Sequence, residues 1–223
     1  MCRLAVFPPK FPREAAIDIV ENFLTYNKDG YGEAHVQDGK FCVSRHPGCF
    51  EAVKTVALAH MPYPGWTIAH VRAKTHGECV VQNTHPFIHG KWCLAHNGQF
   101  APHELIRAAT PAVKYEGECD SETAAYFLNA AGPLGFLQLI HSGIYVALNT
   151  DGEAYVMNLH GDLEVSETEY GFLFASDLPK AYAGKDVKAC MIRTKADTGE
   201  IHTRWKWKTS SLLFPGWTGA SCR

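Results

Sequence analysis

The sequence predicts an α+β fold in which two β-sheets are covered by helical layers. Three observations point there. Helical periodicity is confined to the start and middle of the chain, within residues 13–27, 50–60 and 102–141. Strand-like runs surround those segments and fill most of the chain after Gly143. No repeat, low-complexity stretch or linker interrupts the pattern, so residues 1–223 read as a single domain.

Each element has a local reason. Arg3–Phe7 is a short apolar run stopped by Pro8-Pro9, which reads as a strand. Arg13–Asn27 places Ala16, Ile19, Val20, Phe23 and Leu24 on one helical face, and Gly30 is the expected C-cap. Tyr31–Val36 and Lys40–Arg45 flank Gln37-Asp38-Gly39, a hairpin signal. Phe50–His60 reads as a helix broken by Pro62 and Pro64, and Trp66–Ala73 as a buried strand. Trp92–His96 is a further strand, closing at the turn dipeptide Asn97-Gly98.

Pro102–Ala109, Ser121–Ala131 and Pro133–His141 read as helices. Gly143–Leu148, Glu153–Leu159, Leu163–Glu167, Phe172–Ala175, Lys188–Thr194 and Glu200–Lys208 read as strands, several separated by Asp-Gly, Gly-Asp or Thr-Gly turns. The tail from Thr209 to Arg223 lacks periodicity. Its Leu212, Leu213, Phe214 and Trp217 are too apolar for a solvated tail, so it is expected to pack on the domain or on a partner.

Composition narrows the function classes. A formal net charge of -2 without basic or acidic blocks gives no electrostatic case for nucleic acid or an anionic membrane surface. No apolar run approaches the ~18 residues of a membrane span. The first ten residues lack a signal-peptide layout, so a cytoplasmic location is expected. The eight cysteines are scattered without a CxxC pair, and most are expected as free thiols in the core.

Several segments carry chemistry. Met1-Cys2 places a thiol next to the initiator methionine; loss of Met1 would join a nucleophile and an α-amino base on one residue. Alone, Cys2 is more often a small apolar residue opening a strand. His70 to Gly77 runs from a strand into a polar turn, and Arg72 there offers a donor fork for a carboxylate, or an ordinary surface ion pair. Asn83-Thr84-His85-Pro86-Phe87 precedes His96-Asn97-Gly98. An Asn amide beside a glycine N–H can form an oxyanion hole, or a plain hairpin turn. In Cys119-Asp120-Ser121-Glu122, Asp120 could hold an ammonium or simply cap a helix. No metal site is expected, because the His and Cys spacings match neither HExxH nor a zinc finger or ribbon. No phosphate-cradling glycine motif is present, and no cofactor is expected.

Taken in order, these segments resemble the class II glutamine amidotransferase domain of the N-terminal-nucleophile hydrolases. The matching segments are Met1-Cys2, Asp29-Gly30-Tyr31-Gly32, His70 to Gly77, Asn83 to Phe87, His96-Asn97-Gly98 and Asp120-Ser121-Glu122. They cover roughly residues 2–130 closely and the rest loosely. The resemblance implies a four-layer α/β/β/α sandwich of two antiparallel sheets. It further implies that Cys2 attacks the side-chain amide of glutamine, with Asn97 and Gly98 holding the oxyanion. Arg72 would clamp the α-carboxylate and Asp120 the α-ammonium, with Thr75, His76 and His85 also in the substrate pocket. Two departures stand out: Ala73 where the family often has tryptophan, and Cys119 where serine is usual.

Three functions compete. The first is a glutaminase feeding ammonia to a separate synthase subunit. The second is a free-standing hydrolase of γ-glutamyl amides or peptides, which Ala73 favours by opening the pocket. The third is a catalytically silent binding module, against which the retained Cys2, Arg72, Asn97 and Asp120 argue.

Overall fold

The computed structural model describes residues 1–48, 58–59, 61–75, 77–187 and 189–206. The first half runs β1 (Arg3–Phe7), α1 (Arg13–Leu24), β2 (Tyr31–Gln37), β3 (Lys40–His46), β4 (Thr67–Val71), β5 (Phe87–His89) and β6 (Trp92–Asn97). Two helices follow, α2 (His103–Ala109) and α3 (Asp120–Leu139). The second half is β7 (Gly143–Asn149), β8 (Ala154–Leu159), β9 (Glu164–Thr168), β10 (Gly171–Ala175), β11 (Lys185–Asp186), β12 (Cys190–Thr194) and β13 (Ile201–Lys206).

The strands form two sheets. One has the order β11-β9-β10-β1-β4-β2-β3, the other β13-β12-β8-β7-β6-β5. Neighbours are antiparallel throughout. Side-chain alternation then builds three apolar layers. Leu4 and Val6 of β1 meet Cys93 and Ala95 of β6 and Ile144, Val146 and Leu148 of β7 between the sheets. Ala5 and Phe7 point the other way, against Ala16, Ile19, Val20 and Phe23 of α1. Tyr145 and Ala147 of β7 face Ala124, Leu128 and Phe136 of α3. The result is helix, sheet, sheet, helix, as the resemblance implied.

The five residues expected on the buried face of α1 are all buried. The expected cap is corrected: α1 ends at Leu24 with Thr25 as its cap, whose hydroxyl donates to the Asn22 carbonyl (2.8 Å). Gly30 instead delivers the chain into β2, its carbonyl accepting from Arg72 N–H (2.7 Å). Between β2 and β3, Asp38 and Gly39 both take positive φ (52° and 69°), which matches the twist a two-residue hairpin demands. The two helices read across 121–141 are consecutive stretches of α3, broken at Gly132 (φ 69°, ψ 172°) ahead of Pro133.

Strands β5 and β11 are not legible in the sequence. They are three and two residues long, too short for any alternation to show. The helix expected over Phe50–His60, apart from Leu58-Ala59, and the tail from Thr209 lie outside the described residues. Cys2, Cys42, Cys79, Cys93, Cys119 and Cys190 are free thiols. Only Cys93, Cys119 and Cys190 of these are buried, fewer than expected. Among the described residues no helix is long and apolar enough to cross a membrane.

Candidate active site

Strand alternation gathers the site at one end of the layer between the sheets. Leu4, Ile68 and Ala95 face this layer from β1, β4 and β6. Two residues further along the same faces come Cys2, His70 with Arg72 beyond it, and Asn97. The pairing of Arg3 with Val71 puts the start of β1 beside the end of β4. His70 Nε2 reaches across to the His96 carbonyl (3.2 Å), tying this end of β4 to the end of β6.

A cleft opens there, lined by Cys2, Arg72, Ala73, Thr75, His85, His96, Gly98, Cys119, Asp120 and Ser121. Six sequence-predicted residues therefore share one cavity wall: Cys2, Arg72, Thr75, His85, Gly98 and Asp120. Asn97 is not on that wall; it is buried between His96 and Gly98, with its Oδ1 lacking a protein partner. His76 lies outside the described residues. A larger cleft opens between the turns at Asp38-Gly39 and Asp151-Gly152, at the opposite ends of the strands. Its lining contains none of the sequence-predicted site residues.

The Cys2 thiol sits against the backbone of Ala73, whose N–H donates to Sγ (3.4 Å) and whose carbonyl accepts from it (3.5 Å). Asn27 fixes the residue before it, donating to the Met1 carbonyl (3.0 Å) and to the Val71 carbonyl (3.2 Å). Burial pushes the thiol above the ordinary thiol range, outweighing the Ala73 hydrogen bond, the chain-terminal charge and the Arg72 guanidinium. A thiol in this position needs a base to become nucleophilic.

Arg72 is almost fully buried, and two backbone carbonyls aim it. Nη1 donates to Glu78 (2.8 Å) and Nη2 to Gly77 (3.3 Å). Asp120 opens α3 but does not cap it. The N-cap position is Cys119, without a side-chain cap bond, while Asp120 Oδ2 accepts from the Phe100 N–H (2.6 Å). That bond draws the loop after Asn97-Gly98 onto the start of α3. Ser121 completes the link: its hydroxyl donates to Asp120 Oδ1 (3.2 Å) and pairs with His96 Nδ1 (3.1 Å). No role for Ser121 is visible in the sequence, because its pairing with His96 spans 25 residues.

Three histidines underlie the cleft. His70 and His85 lie ring to ring at 3.9 Å, and His96 stacks on Tyr145 at 4.1 Å. Desolvation lowers all three, His70 to about 3, His96 to about 4 and His85 well below the usual imidazole range. Both His85 ring nitrogens, His70 Nδ1 and His96 Nε2 are buried without a protein partner. Beside these buried rings, Arg72 and Asp120 are the basic and the acidic side chain on the cleft wall. No group of three or more His, Cys, Asp or Glu among the described residues is arranged to hold a metal ion.

Gly98 sits where a side chain has no room. Its φ is +144°, and a Cβ there would lie 2.9 Å from His96 Nε2 and 3.0 Å from the Gly143 Cα.

Residues 27–130 match the family described as class-II glutamine amidotransferases. That match spans 104 of the 223 residues, just under half of the chain. The glutamine–fructose-6-phosphate aminotransferase (isomerizing) of Zymomonas mobilis is 35% identical over 104 residues, 45% of this chain and 17% of that protein. That of Escherichia coli K12 is 29% identical over 123 residues, 52% of this chain and 20% of that protein. The matched segment therefore spans only about a fifth of these relatives.

Two solved structures share the amidotransferase fold. Glutamine phosphoribosylpyrophosphate amidotransferase from B. subtilis superposes with a TM-score of 0.74 at 14% identity, covering 94% of this chain and 50% of that one. A glutamine aminotransferase class-II domain protein from Silicibacter pomeroyi gives 0.58 at 17% identity, covering 89% of this chain and 96% of that one.

Proposed function

We propose that the domain hydrolyses the side-chain amide of glutamine to glutamate and ammonia, with Cys2 as nucleophile once Met1 is removed. The observation that carries this reading is the cleft itself: the Cys2 thiol shares one wall with a cation, Arg72, and an anion, Asp120. A zwitterionic amino-acid head needs one fixed group of each sign. The reacting amide would then lie toward Cys2, Asn97 and Gly98.

The raised thiol ionisation calls for a base. An α-amino group ordinarily titrates at ~7.7–8.0, which suits that of a processed Cys2 to the task. It takes the thiol proton as sulfur attacks the amide carbon. The Asn97 amide and Gly98 N–H hold the resulting oxyanion. Collapse breaks the C–N bond, the α-ammonium returns its proton to the leaving nitrogen, and ammonia departs. Water then attacks the thioester and glutamate leaves.

The named aminotransferase relatives support delivery of this ammonia to an amino-accepting synthase partner. Ala73 supports a second reading. Its small side chain stands on the cleft wall beside Cys2, where a larger residue would crowd a substituent on a γ-glutamyl amide nitrogen. One assay separates the two. Purified protein with Met1 removed, checked by intact mass, is given L-glutamine and γ-glutamyl dipeptides, alone and with candidate synthases. Glutamate release from glutamine should fall at least ~1,000-fold in Cys2→Ala. Turnover of dipeptides in preference to glutamine establishes the second reading. Release at the Cys2→Ala background with both substrates and every partner rejects the enzymatic reading and leaves a binding module.

A further inference from the structure

We propose that Asn83 is a positioning residue that sets the spacing between Arg72 and Asp120, and thereby the fit of the amino-acid head. The proposal rests on the substrate-binding roles of those two residues in the proposed reaction. Asn83 closes a short 3-10 turn, Val81–Asn83, and is 2% exposed. Its side chain touches both halves of the grip. Oδ1 accepts from the N–H groups of Glu118 (2.7 Å) and Cys119 (3.3 Å), the two residues that lead into Asp120. Nδ2 donates to the Glu78 carbonyl (3.2 Å), the same carbonyl that receives Arg72 Nη1.

The surroundings leave this amide little freedom. Gly77, which also receives Arg72, has φ +70°, and a Cβ there would lie 2.8 Å from Asn83 Nδ2. A Cβ on Gly117 would run into Asn83 Oδ1. Two backbone segments thus close on one side chain from opposite sides. The Asp120 segment is held independently: Arg107 donates to the carbonyls of Gly117 (2.8 Å) and Cys119 (3.0 Å), and Glu122 accepts from the N–H groups of Glu116 and Gly117. Asn83 couples that braced segment to the loop that aims Arg72.

The coupling has a selective consequence. A ligand gripped at both ends is sensitive to the distance between its anchors, and misplacement by ~1 Å can cost about 100-fold. A ligand held at one end is not. A merely structural asparagine would affect both ligands alike.

The test measures binding by calorimetry in a Cys2→Ala background, where nothing turns over. The ligands are L-glutamine and 4-carbamoylbutanoate, which is glutamine without its α-amino group. Asn83→Ala should weaken glutamine binding about tenfold or more, while 4-carbamoylbutanoate changes less than about threefold. Asn83→Asp keeps an acceptor for Glu118 and Cys119 but cannot donate to Glu78. It should show the same selectivity to a smaller degree, and it decides the matter if Asn83→Ala does not fold. Equal loss of both ligands, or no loss of either, overturns the proposal alone. Failure of the Asn83-containing parent to bind either ligand overturns the roles of Arg72 and Asp120, and the proposal with them.

Discussion

Asn97 ends β6 with a buried carboxamide whose Oδ1 finds no protein partner. A buried unsatisfied acceptor costs about 1–3 kcal/mol, so this residue is held against stability. Replacing it should separate activity from folding. Asn97→Ala is expected to lower kcat for glutamine about 100–1,000-fold with little change in KM, while Tm stays the same or rises. Steady-state kinetics alongside a thermal melt check both halves, and a fall in Tm with unchanged kcat would contradict the oxyanion role. The side chains on the cleft wall are legible in the sequence because each sits in a short motif with a distinctive residue type. The work done by Asp120 on the Phe100 N–H, by Ser121 on His96 and by Asn83 on two loops is not. Those bonds span 20, 25 and 35–36 residues, beyond the reach of any local pattern.

Elements are readable where two signals agree. The hairpin β2–β3 combines alternation with the Asp38-Gly39 turn signal. Gly30 misleads as a helix cap because its function is spatial and leaves no mark on the helical pattern. Gly30 and Gly32 flank Tyr31 at the start of β2, and a Cβ on Gly32 would run into the His85 carbonyl oxygen. The neighbouring Asp29 accepts from the Lys74 N–H (2.7 Å), fastening the loop beyond Arg72. The four-residue run from Asp29 to Gly32 therefore lets the His85 segment lie flat on β2 while anchoring the arginine loop. Gly32→Ala should destabilise the domain by about 2 kcal/mol or more, read as a lower urea midpoint, because backbone rather than a flexible side chain must move. A midpoint unchanged from the parent would show that the His85 segment adjusts freely.

At the scale of the whole molecule, the three buried histidines set the acid limit. His96 and His70 stay neutral in the folded chain down to about 4 and about 3. In the unfolded chain they titrate near the ordinary value of ~6.5. Above that value neither state holds the proton and the histidines leave stability unaffected. Below it the unfolded chain gains protons that the folded chain refuses, so stability falls by about 1.4 kcal/mol per pH unit for each such histidine. The loss continues until His96 and then His70 protonate in the folded state. Urea unfolding at pH 7 and pH 5 should show the lower midpoint at pH 5, and equal midpoints would place these rings in contact with solvent.

The position of β1 has a consequence for how the protein is made. This strand lies inside its sheet, paired with β4 on one side and β10 on the other, and Ala5 meets Ala175 only after 170 further residues have been added. At ~5–20 residues per second a ribosome takes roughly 10–30 s to supply that partner. The strand next to the thiol is thus made well before the strand that encloses it on its second side. A chain interrupted before Gly171 would leave it on an open sheet edge, a template for another nascent chain.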